Sequence, residues 1–580
     1  MDNYWMHPAL PLLIGALILP FLTQRLRCVA LVVLPAFGLL NVIALGRTDE
    51  ALIASEMNFA GYVLDILHVD KLSLMFGYLF HIAALIGGIY AMHLKDRMQH
   101  FTGVAYAGSA VAAVFAGDLL TLFLAWELLA VTSVFLVWAG KGVEGRKAGG
   151  RYLLAHIMSG LLLLIGTALL VVETGVVPTF EHMELDSMAT WLIFLAFGIK
   201  VGFPIFHTWL VDAYPASSAS GTLFLSAFTT KTAVYCLARG FAGEDMLIYI
   251  GAVMCLFPIF YAVIENDLRR VLSYSMINQI GFMVVGIGIG TTLSVNGAVA
   301  HAFADVIFKG LLFMAMGAVY LRVGSTKGTE LGGLYKSMPW TTGFCLVGAA
   351  SISALPLFSG FVTKSMIMFA AATYQPMDLT WLWFILLFAS AGVLEHAGIK
   401  IPYFAFFAHD SGKRPKEAPM GMRVAMGISS VLCILIGCFP QTFYQLLPGD
   451  QLGLEGKFEY APYTLTHIVT QMQLLFFAAA AVFGMMLLKK YPAEVPSVNV
   501  DTDVIWRKVL PGIWKKGLHP IFLAVSAIEE RFLAWAPAQA VRTFGHGLPR
   551  LAIFKEWPQG SIILLITIVL CAYLGLELFS

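Results

Sequence analysis

The residues best able to do chemistry in this chain are ionisable side chains inside long apolar segments. Lys200 lies near the end of one apolar run, and Lys231 lies in the middle of the next. A lysine at the centre of a membrane-spanning helix costs about 2.5–3.5 kcal/mol on insertion scales, so two in consecutive runs need a function or a partner. Burial disfavours the charged form of an amine, so a buried lysine can gain and lose a proton. These residue types indicate proton or cation movement.

A second group of ionisable residues lies at helical spacing in a later apolar run. His301, Asp305 and Lys309 are at positions i, i+4 and i+8, which places them in one stripe on one face of a helix. Histidine titrates close to neutral pH, and membrane relays are built from such Asp, His and Lys chains. The stripe therefore predicts relay stations linked by water.

A buried carboxylate comes before both groups. Glu127 lies in the apolar run 124–129, and a nearby carboxylate favours the charged form of a lysine, so we expect Glu127 and Lys200 to interact. Lys364 follows a helix break at Pro356 by eight residues. The primary pathway candidates are Glu127, Lys200, Lys231, His301, Asp305, Lys309 and Lys364, and the secondary candidates are His207, Glu395 and Lys400.

Other interpretations of these residues remain open. A single buried Lys or Glu can form a structural ion pair or extend to the headgroups, and Glu395 and Lys400 can simply neutralise each other. We interpret His156 and His207 as local hydrogen-bonding residues. Haem would require histidines on facing spans, and the chain has no haem, quinone, C-x-x-C, H-E-x-x-H or phosphate-loop motif. We expect no metal, no cofactor and no redox centre of its own.

The elements that must position these residues are transmembrane helices. The 580 residues are 59% hydrophobic and only 12% charged, and apolar runs long enough to cross a bilayer recur from end to end. The basic residues of the short connections fall mostly on one side, which by the positive-inside rule places both termini on the non-cytoplasmic side. A net charge of +1 without a basic patch argues against nucleic-acid binding.

Two spans contain breaks, at Pro204 beside Lys200 and at Pro356 before Lys364. One interrupted span in each half indicates inverted structural repeats with a site near the membrane midplane. We expect N-terminal transmembrane helices at 1–95, a first inverted repeat at 96–240 and a second at 241–410, each forming a proton half-channel. We then expect C-terminal core helices at 411–490, a cytoplasmic or interfacial amphipathic arm at 491–559, and a final transmembrane helix at 560–580.

At these residues the sequence resembles the antiporter-like membrane subunits shared by Mrp-type sodium/proton antiporters, respiratory complex I and membrane-bound hydrogenases. The matching segments keep their order and spacing over roughly residues 100–410. They are 126–129, 200–210, Lys231, 267–275, 301–313 and 354–364.

The resemblance implies an all-α polytopic fold with about 14 core transmembrane helices, two inverted five-helix repeats with broken helices, and extra C-terminal helices. It implies that Glu127 and Lys200 form the first module, and that Lys231 and the 301–309 stripe lead to Lys364 as the terminal proton carrier. This chain also departs from its relatives. Asp305 stands where many have His, Val211 and Tyr214 replace a Pro and a second His, and Lys364 stands where some have Glu.

The expected function is that of a proton-translocating subunit in a multisubunit sodium/proton antiporter, with a D-type subunit as first choice. Lys400 and the segment 501–507 resemble the long D-type subunits, whereas the lysine at position 364 resembles the terminal subunit of complex I. The second interpretation is a proton-pumping arm of a complex I-like oxidoreductase or a hydrogenase, in which a redox partner drives the same relay. A third is a structural membrane scaffold without transport. The resemblance implies other membrane subunits as partners, and a bacterial or archaeal cell membrane as location.

Overall fold

A computed structural model describes residues 6–47, 56–59, 61–140, 142–374, 377–488, 499–513 and 516 of the chain. These residues fall into two compact units, the larger covering 1–57 and 64–499 and the smaller covering 58–63 and 500–580. The larger unit contains every candidate residue. Most of the predicted arm at 491–559 and all of the predicted final helix at 560–580 lie outside the described residues.

Helices dominate the described part of the chain, in the following order. They are α1 (Leu10–Ile18), α2 (Gln24–Leu45), α3 (Lys71–Ala91), α4 (Arg97–Val114), α5 (Leu119–Trp138), α6 (Gly142–Thr174), α7 (Met188–Val201), α8 (Thr208–Ala216), α9 (Ala219–Ala227), α10 (Thr229–Gly240), α11 (Asp245–Ile264), α12 (Leu268–Ile289), α13 (Thr292–Val323), α14 (Pro339–Ile352), α15 (Ser359–Thr373), α16 (Thr380–Phe407), α17 (Met420–Cys438), α18 (Pro440–Tyr444), α19 (Leu465–Leu487) and α20 (Leu510–Ile513).

The remaining regular elements are short. Two strands, β1 (Glu56–Phe59) and β2 (Tyr62–Asp65), lie between α2 and α3. Single 3₁₀ turns lie at Leu19–Phe21, Gly328–Glu330, Leu334–Lys336 and Gly449–Leu452. π-Helical turns occupy Leu394–Ile399 and Tyr403–Phe407 within α16, and Ile505–Val509 before α20.

Among the described helices, ten are long and apolar enough to cross a membrane, which confirms the prediction of a polytopic helical membrane protein. They are not equally buried. The apolar windows of α12 and α13 are 100% buried, whereas those of α2 and α19 are 28% and 17% buried. Two helices therefore run through the centre of the bundle, where their polar side chains face protein and not lipid.

The two predicted breaks are present as short non-helical segments. In the first, Gly202, the residue after α7, has a φ of 88°, and Ile205 has a φ of 77°. In the second, between α14 and α15, Ala354 and Leu357 have φ values of 57° and 75°. The left-handed conformation costs a non-glycine residue about 1–2 kcal/mol, and such strain persists only where the surrounding structure imposes it. The breaks are therefore fixed features of the fold.

The same order of elements occurs twice along the chain. In each case two helices precede a long one, α6 with 33 residues and α13 with 32. A broken pair follows, α7 and α8 or α14 and α15. The last helix of each series is interrupted, by Phe228 between α9 and α10 and by π-helical turns in α16. The two series of five helices cover residues 97–240 and 245–407, and their relation as inverted repeats stays a prediction.

Arg269 fixes the helix that follows the first break. Its side chain is 2% exposed and donates hydrogen bonds to the carbonyl oxygens of Tyr214, Pro215 and Ser217 at 3.1, 2.9 and 3.0 Å. The last carbonyls of a helix have no partner within the helix, so these bonds satisfy the end of α8. They connect α8 to the first turn of α12.

Candidate functional site

The Lys200 amine is held at the end of α7 by a neighbouring helix. Lys200 is 0% exposed, and its Nζ donates a hydrogen bond to the carbonyl oxygen of Trp126 on α5 at 2.8 Å. The same nitrogen lies 3.9 Å from the centroid of the Trp126 ring, a cation–π geometry. Trp126 is held in turn, because its Nε1 donates to Ser159 Oγ on α6 at 3.0 Å. The amine is thus positioned inside the protein and does not extend to a headgroup.

Glu127 lies beside this lysine without contacting it. Among the described residues, no ion pair within 4 Å joins Glu127 to Lys200, although the two charges interact electrostatically. The Oε1 atom of Glu127 is buried and has no hydrogen-bond partner in the described part of the chain. It lies against the backbone of α6, since a Cβ atom built on Gly160 would be only 1.6 Å from it. The absence of a side chain at Gly160 therefore makes room for the carboxylate.

The structure adds His156 to this group and corrects its interpretation. We expected a local hydrogen-bonding histidine, but His156 is 0% exposed and neither ring nitrogen has a hydrogen-bond partner among the described residues. Its ring contacts Tyr152 and Trp209, with centroids at 4.1 and 4.6 Å, and it interacts electrostatically with Lys200. The signal in the sequence was its spacing: His156 precedes Gly160 by one helical turn, so both face the Glu127–Lys200 region. His207, 2% exposed, lies against Phe257 at 4.7 Å.

A row of buried hydroxyl groups lies where α4, α5, α6 and α10 meet. Tyr152 donates to Ser133 Oγ at 2.7 Å, and its hydroxyl lies 3.4 Å from Thr229 Oγ1. Thr229 Oγ1 in turn lies 2.5 Å from the Tyr106 hydroxyl. All four side chains are at most 1% exposed, and Thr229 precedes Lys231 by two residues on α10. Sequence reasoning missed this row, because its members lie on α4, α5, α6 and α10.

Lys231 and Asp305 form an ion pair at the centre of the bundle. The Lys231 Nζ atom lies 2.6 Å from Asp305 Oδ2, and both side chains are 0% exposed. Lys231 Nζ also donates to the Ser226 carbonyl at 3.3 Å. Apart from the ion pair, neither oxygen of Asp305 has a hydrogen-bond partner among the described residues. The pair joins α10 to α13, and so connects the two five-helix segments.

The other members of the α13 stripe contact polar residues of α12 and α15. Lys309 Nζ donates to Ser275 Oγ at 2.8 Å. The His301 ring nitrogens lie 3.0 Å from Thr363 Oγ1 and 3.2 Å from Gln279 Oε1. Both His301 and Lys309 are 0% exposed. The stripe therefore contacts side chains that can donate or accept hydrogen bonds.

Lys364 lies at the far end of this set, after the second break. It is 1% exposed, and its Nζ donates to the Ile352 carbonyl at 3.1 Å, at the end of α14. A cavity of about 530 Å³ between α15, α16 and α19 reaches this side chain, and Glu459 and His467 also line it. Lys364 thus lines an open cavity.

Of the secondary candidates on α16, Lys400 caps the end of a neighbouring helix. Lys400 Nζ donates to the carbonyl oxygens of Ala262, Val263 and Glu265 at 3.2, 2.6 and 2.7 Å, which satisfies the end of α11. Glu395 is 9% exposed and lies in the π-helical turn of α16. The structure does not join these residues to Lys364 by a direct contact, and their place in a pathway stays a prediction.

This arrangement brings together what the sequence predicted as separate candidates. The primary candidate groups are found on α5, α7, α10, α13 and α15, and all of these except the partly exposed Glu127 on α5 are at most 1% exposed. Residues 116–394 of the chain match a protein family described as NADH:quinone oxidoreductase/Mrp antiporter, transmembrane region. This transmembrane region, just under half of the chain, belongs to that family of antiporter-like membrane subunits.

Similar proteins come from several kinds of membrane complex. The chain is 24% identical over 469 residues to the D-type subunit of the Na(+)/H(+) antiporter of Bacillus subtilis, covering 75% of this chain and 94% of that protein. It is 25% identical over 438 residues to hydrogenase-4 component B of Escherichia coli, covering 67% of this chain but 64% of that protein, slightly less than two thirds of its length. A chain of the archaeal membrane-bound sulfane sulfur reductase has the same fold, with a TM-score of 0.69 and 22% identity over 97% of this chain and 99% of that one.

Proposed function

We propose that this protein carries protons through the membrane along its buried ionisable side chains, as part of a multisubunit cation/proton antiporter. The observation that carries the proposal is the continuous burial of these groups. Lys200, Lys231, His301, Asp305, Lys309 and Lys364 are each at most 1% exposed. A fold that buries so many ionisable groups must offset a desolvation cost for each, which structural packing alone would not require.

We assign each residue a role from its position and its neighbours. Glu127 is the charge partner that changes the proton affinity of Lys200 across the gap between them. The Lys231–Asp305 pair links the two halves, and His301 and Lys309 pass the proton along α13. Lys364 is the terminal carrier, because it borders the cavity.

The cation and the partners are proposed from the relatives. The alignment with the Bacillus subtilis protein covers nearly the whole of that sodium/proton antiporter subunit, so we propose Na⁺ as the exchanged cation and other membrane subunits as partners. The surface of the described bundle carries many exposed apolar side chains, Leu154, Met158 and Leu161 on α6 among them, which lipid or a neighbouring subunit would cover.

Lys200→Ala tests this proposal in membrane vesicles that contain the whole complex. A pulse of Na⁺ should change the internal pH of wild-type vesicles, and the variant should lose this response, because no amine remains beside Glu127. Lys147→Ala is the matched control, since Lys147 is an exposed lysine on α6 and its loss should leave the response intact. Full activity of Lys200→Ala at normal protein level would contradict a proton role for the site.

A second candidate function is a proton-pumping arm of a redox complex. It is favoured by the hydrogenase relative and by the coverage of 97% of this chain in the match to the sulfane sulfur reductase complex. In that case an electron donor, and not a Na⁺ pulse, should drive proton movement in the same vesicles. Copurification of flavin or iron–sulfur proteins with the chain would support the second function over the first.

A further inference from the structure

The carboxylate of Asp305 is held by a single partner. Its Oδ2 lies 2.6 Å from Lys231 Nζ, and neither of its oxygens has a hydrogen bond from another described residue. A buried carboxylate in a fixed structural pair is normally held by additional donors, because each unsatisfied oxygen costs about 1–3 kcal/mol. The Oδ1 atom of Asp305 therefore has unused capacity to accept a second donor.

A second amine lies one helical turn away on the same helix. Lys309 follows Asp305 at i+4, a spacing at which side chains of opposite charge reach each other. In this structure Lys309 Nζ donates instead to Ser275 Oγ, an uncharged partner, at 2.8 Å. Lys309 nevertheless interacts electrostatically with Asp305, favourably, and with Lys231 and Lys364, unfavourably. The cluster thus has more amines than it can hold in the charged form with one carboxylate.

We propose that Asp305 is a shared counter-ion that exchanges between Lys231 and Lys309, and that the pair seen here is one of its two states. When the proton is on Lys231, Asp305 forms an ion pair with Lys231 on α10, and Lys309 donates a hydrogen bond to Ser275. When the proton is on Lys309, the carboxylate turns toward that amine along α13. The exchange places the positive charge that pairs with Asp305 in one of the two five-helix segments at a time. It deepens the proposed function, but the pairing itself can be measured without transport.

Infrared spectroscopy of the purified complex in lipid tests the exchange directly. A protonated carboxylic acid has a C=O stretching band that a carboxylate lacks. In Lys231→Gln, Asp305 should stay ionised by pairing with Lys309, so no new acid band should appear. In Lys231→Gln/Lys309→Gln the acid band should appear, and it should disappear again when Asp305→Asn is added. An acid band already present in Lys231→Gln would overturn the proposal.

Thermal unfolding of the same variants gives a second readout. Because each single substitution leaves Asp305 one partner, the double variant should lower the unfolding temperature by more than the sum of the two single shifts. Lys231→Gln combined with Lys200→Gln is the matched control, and there the shifts should add, since Lys200 is held by Trp126. Additive shifts for the 231 and 309 pair, or failure of Lys231→Gln alone to assemble, would overturn the proposal. Full proton transport in Lys231→Gln, with both readouts as expected, would count against the proposed function alone.

Discussion

At the scale of single residues, Gly160 controls where the Glu127 carboxylate can lie. The carboxylate occupies the space that a side chain at position 160 would fill. Because the distance between Glu127 and Lys200 decides how strongly the two charges interact, a shift of the carboxylate changes the proton affinity of the amine. A residue with no ionisable group thus belongs to the first module of the site.

Gly160→Ala should lower the rate of proton movement by about tenfold, because an added methyl group displaces the carboxylate from its position. The unfolding temperature should change little, since Glu127 is partly exposed and can turn outward. Proton movement in vesicles and thermal unfolding are the measurements. Gly150→Ala is the control, because position 150 is on the same helix with open space around it. An unchanged rate in Gly160→Ala would show that the position of the carboxylate does not matter.

The identities of the buried residues were predictable, but their pairs were not. A lysine in an apolar run is unusual whatever surrounds it, so Lys200 and Lys231 could be recognised from residue type and hydropathy alone. The pairing of Lys231 with Asp305 depends on how α10 and α13 are rotated against each other, which no local pattern specifies. For the same reason the sequence could not show that the Lys200 amine contacts Trp126 and forms no ion pair with Glu127.

At the scale of elements, the π-helical turns of α16 place Lys400 at the end of α11. A π-turn inserts an extra residue into a helix and rotates the side chains that follow it. Lys400 comes directly after the turn Leu394–Ile399 and donates to three carbonyls that α11 leaves unsatisfied. These contacts are typical of a lysine that caps a helix. Lys200 instead donates to a single carbonyl and makes a cation–π contact with an aromatic ring.

Substitution by arginine distinguishes a capping lysine from a proton carrier. Arginine keeps the positive charge and the donors but does not release its proton in proteins. Lys400→Arg should therefore retain most of the proton movement, and Lys200→Arg should lose at least about tenfold. Both rates are measured in the same vesicles at matched protein level. A loss in Lys400→Arg as large as that in Lys200→Arg would place Lys400 in the pathway.

The helix breaks and the π-turns differ in how well the sequence indicated them. Pro204 and Pro356 remove a backbone donor and clash with the preceding turn, so interruptions at these positions could be predicted. The π-turn Leu394–Ile399 contains no proline that would mark it in the sequence, whereas the π-turn Tyr403–Phe407 directly follows Pro402. The interruption between α9 and α10 at Phe228 also lacks a proline, and the sequence predicted breaks only at Pro204 and Pro356.

At the scale of the whole molecule, α13 runs from one end of the bundle to the other. Near its start, Thr292 N donates to the Glu455 carbonyl at 2.8 Å. Near its end, Arg322 Nη2 donates to the Glu417 carbonyl at 2.6 Å. With 32 residues, α13 spans about 48 Å, enough to cross a bilayer. The segments 449–457 and 410–417 therefore lie at opposite ends, and the second is rich in basic residues.

Two cysteine substitutions test this orientation in intact cells. Lys416 and Lys457 are both exposed lysines, one in each segment. In a variant without native cysteines, Lys457→Cys should react with a membrane-impermeant maleimide added outside, and Lys416→Cys should react only after the cells are opened. Each variant is the control for the other. The reverse pattern would invert the predicted topology, and labelling of both from outside would contradict the assignment of α13 as a spanning helix.

The row formed by Ser133, Tyr152, Thr229 and Tyr106 has a consequence for what can pass through this part of the bundle. Hydroxyl groups in direct contact can hand on a proton by exchanging hydrogen bonds, and they need no water between them. A hydrated metal ion requires a passage several ångströms wide. These four buried side chains are hydrogen-bonded to one another and leave no such passage between them. If protons pass through this row as we propose for the pathway, an exchanged cation would need a different route, in this protein or in a neighbour.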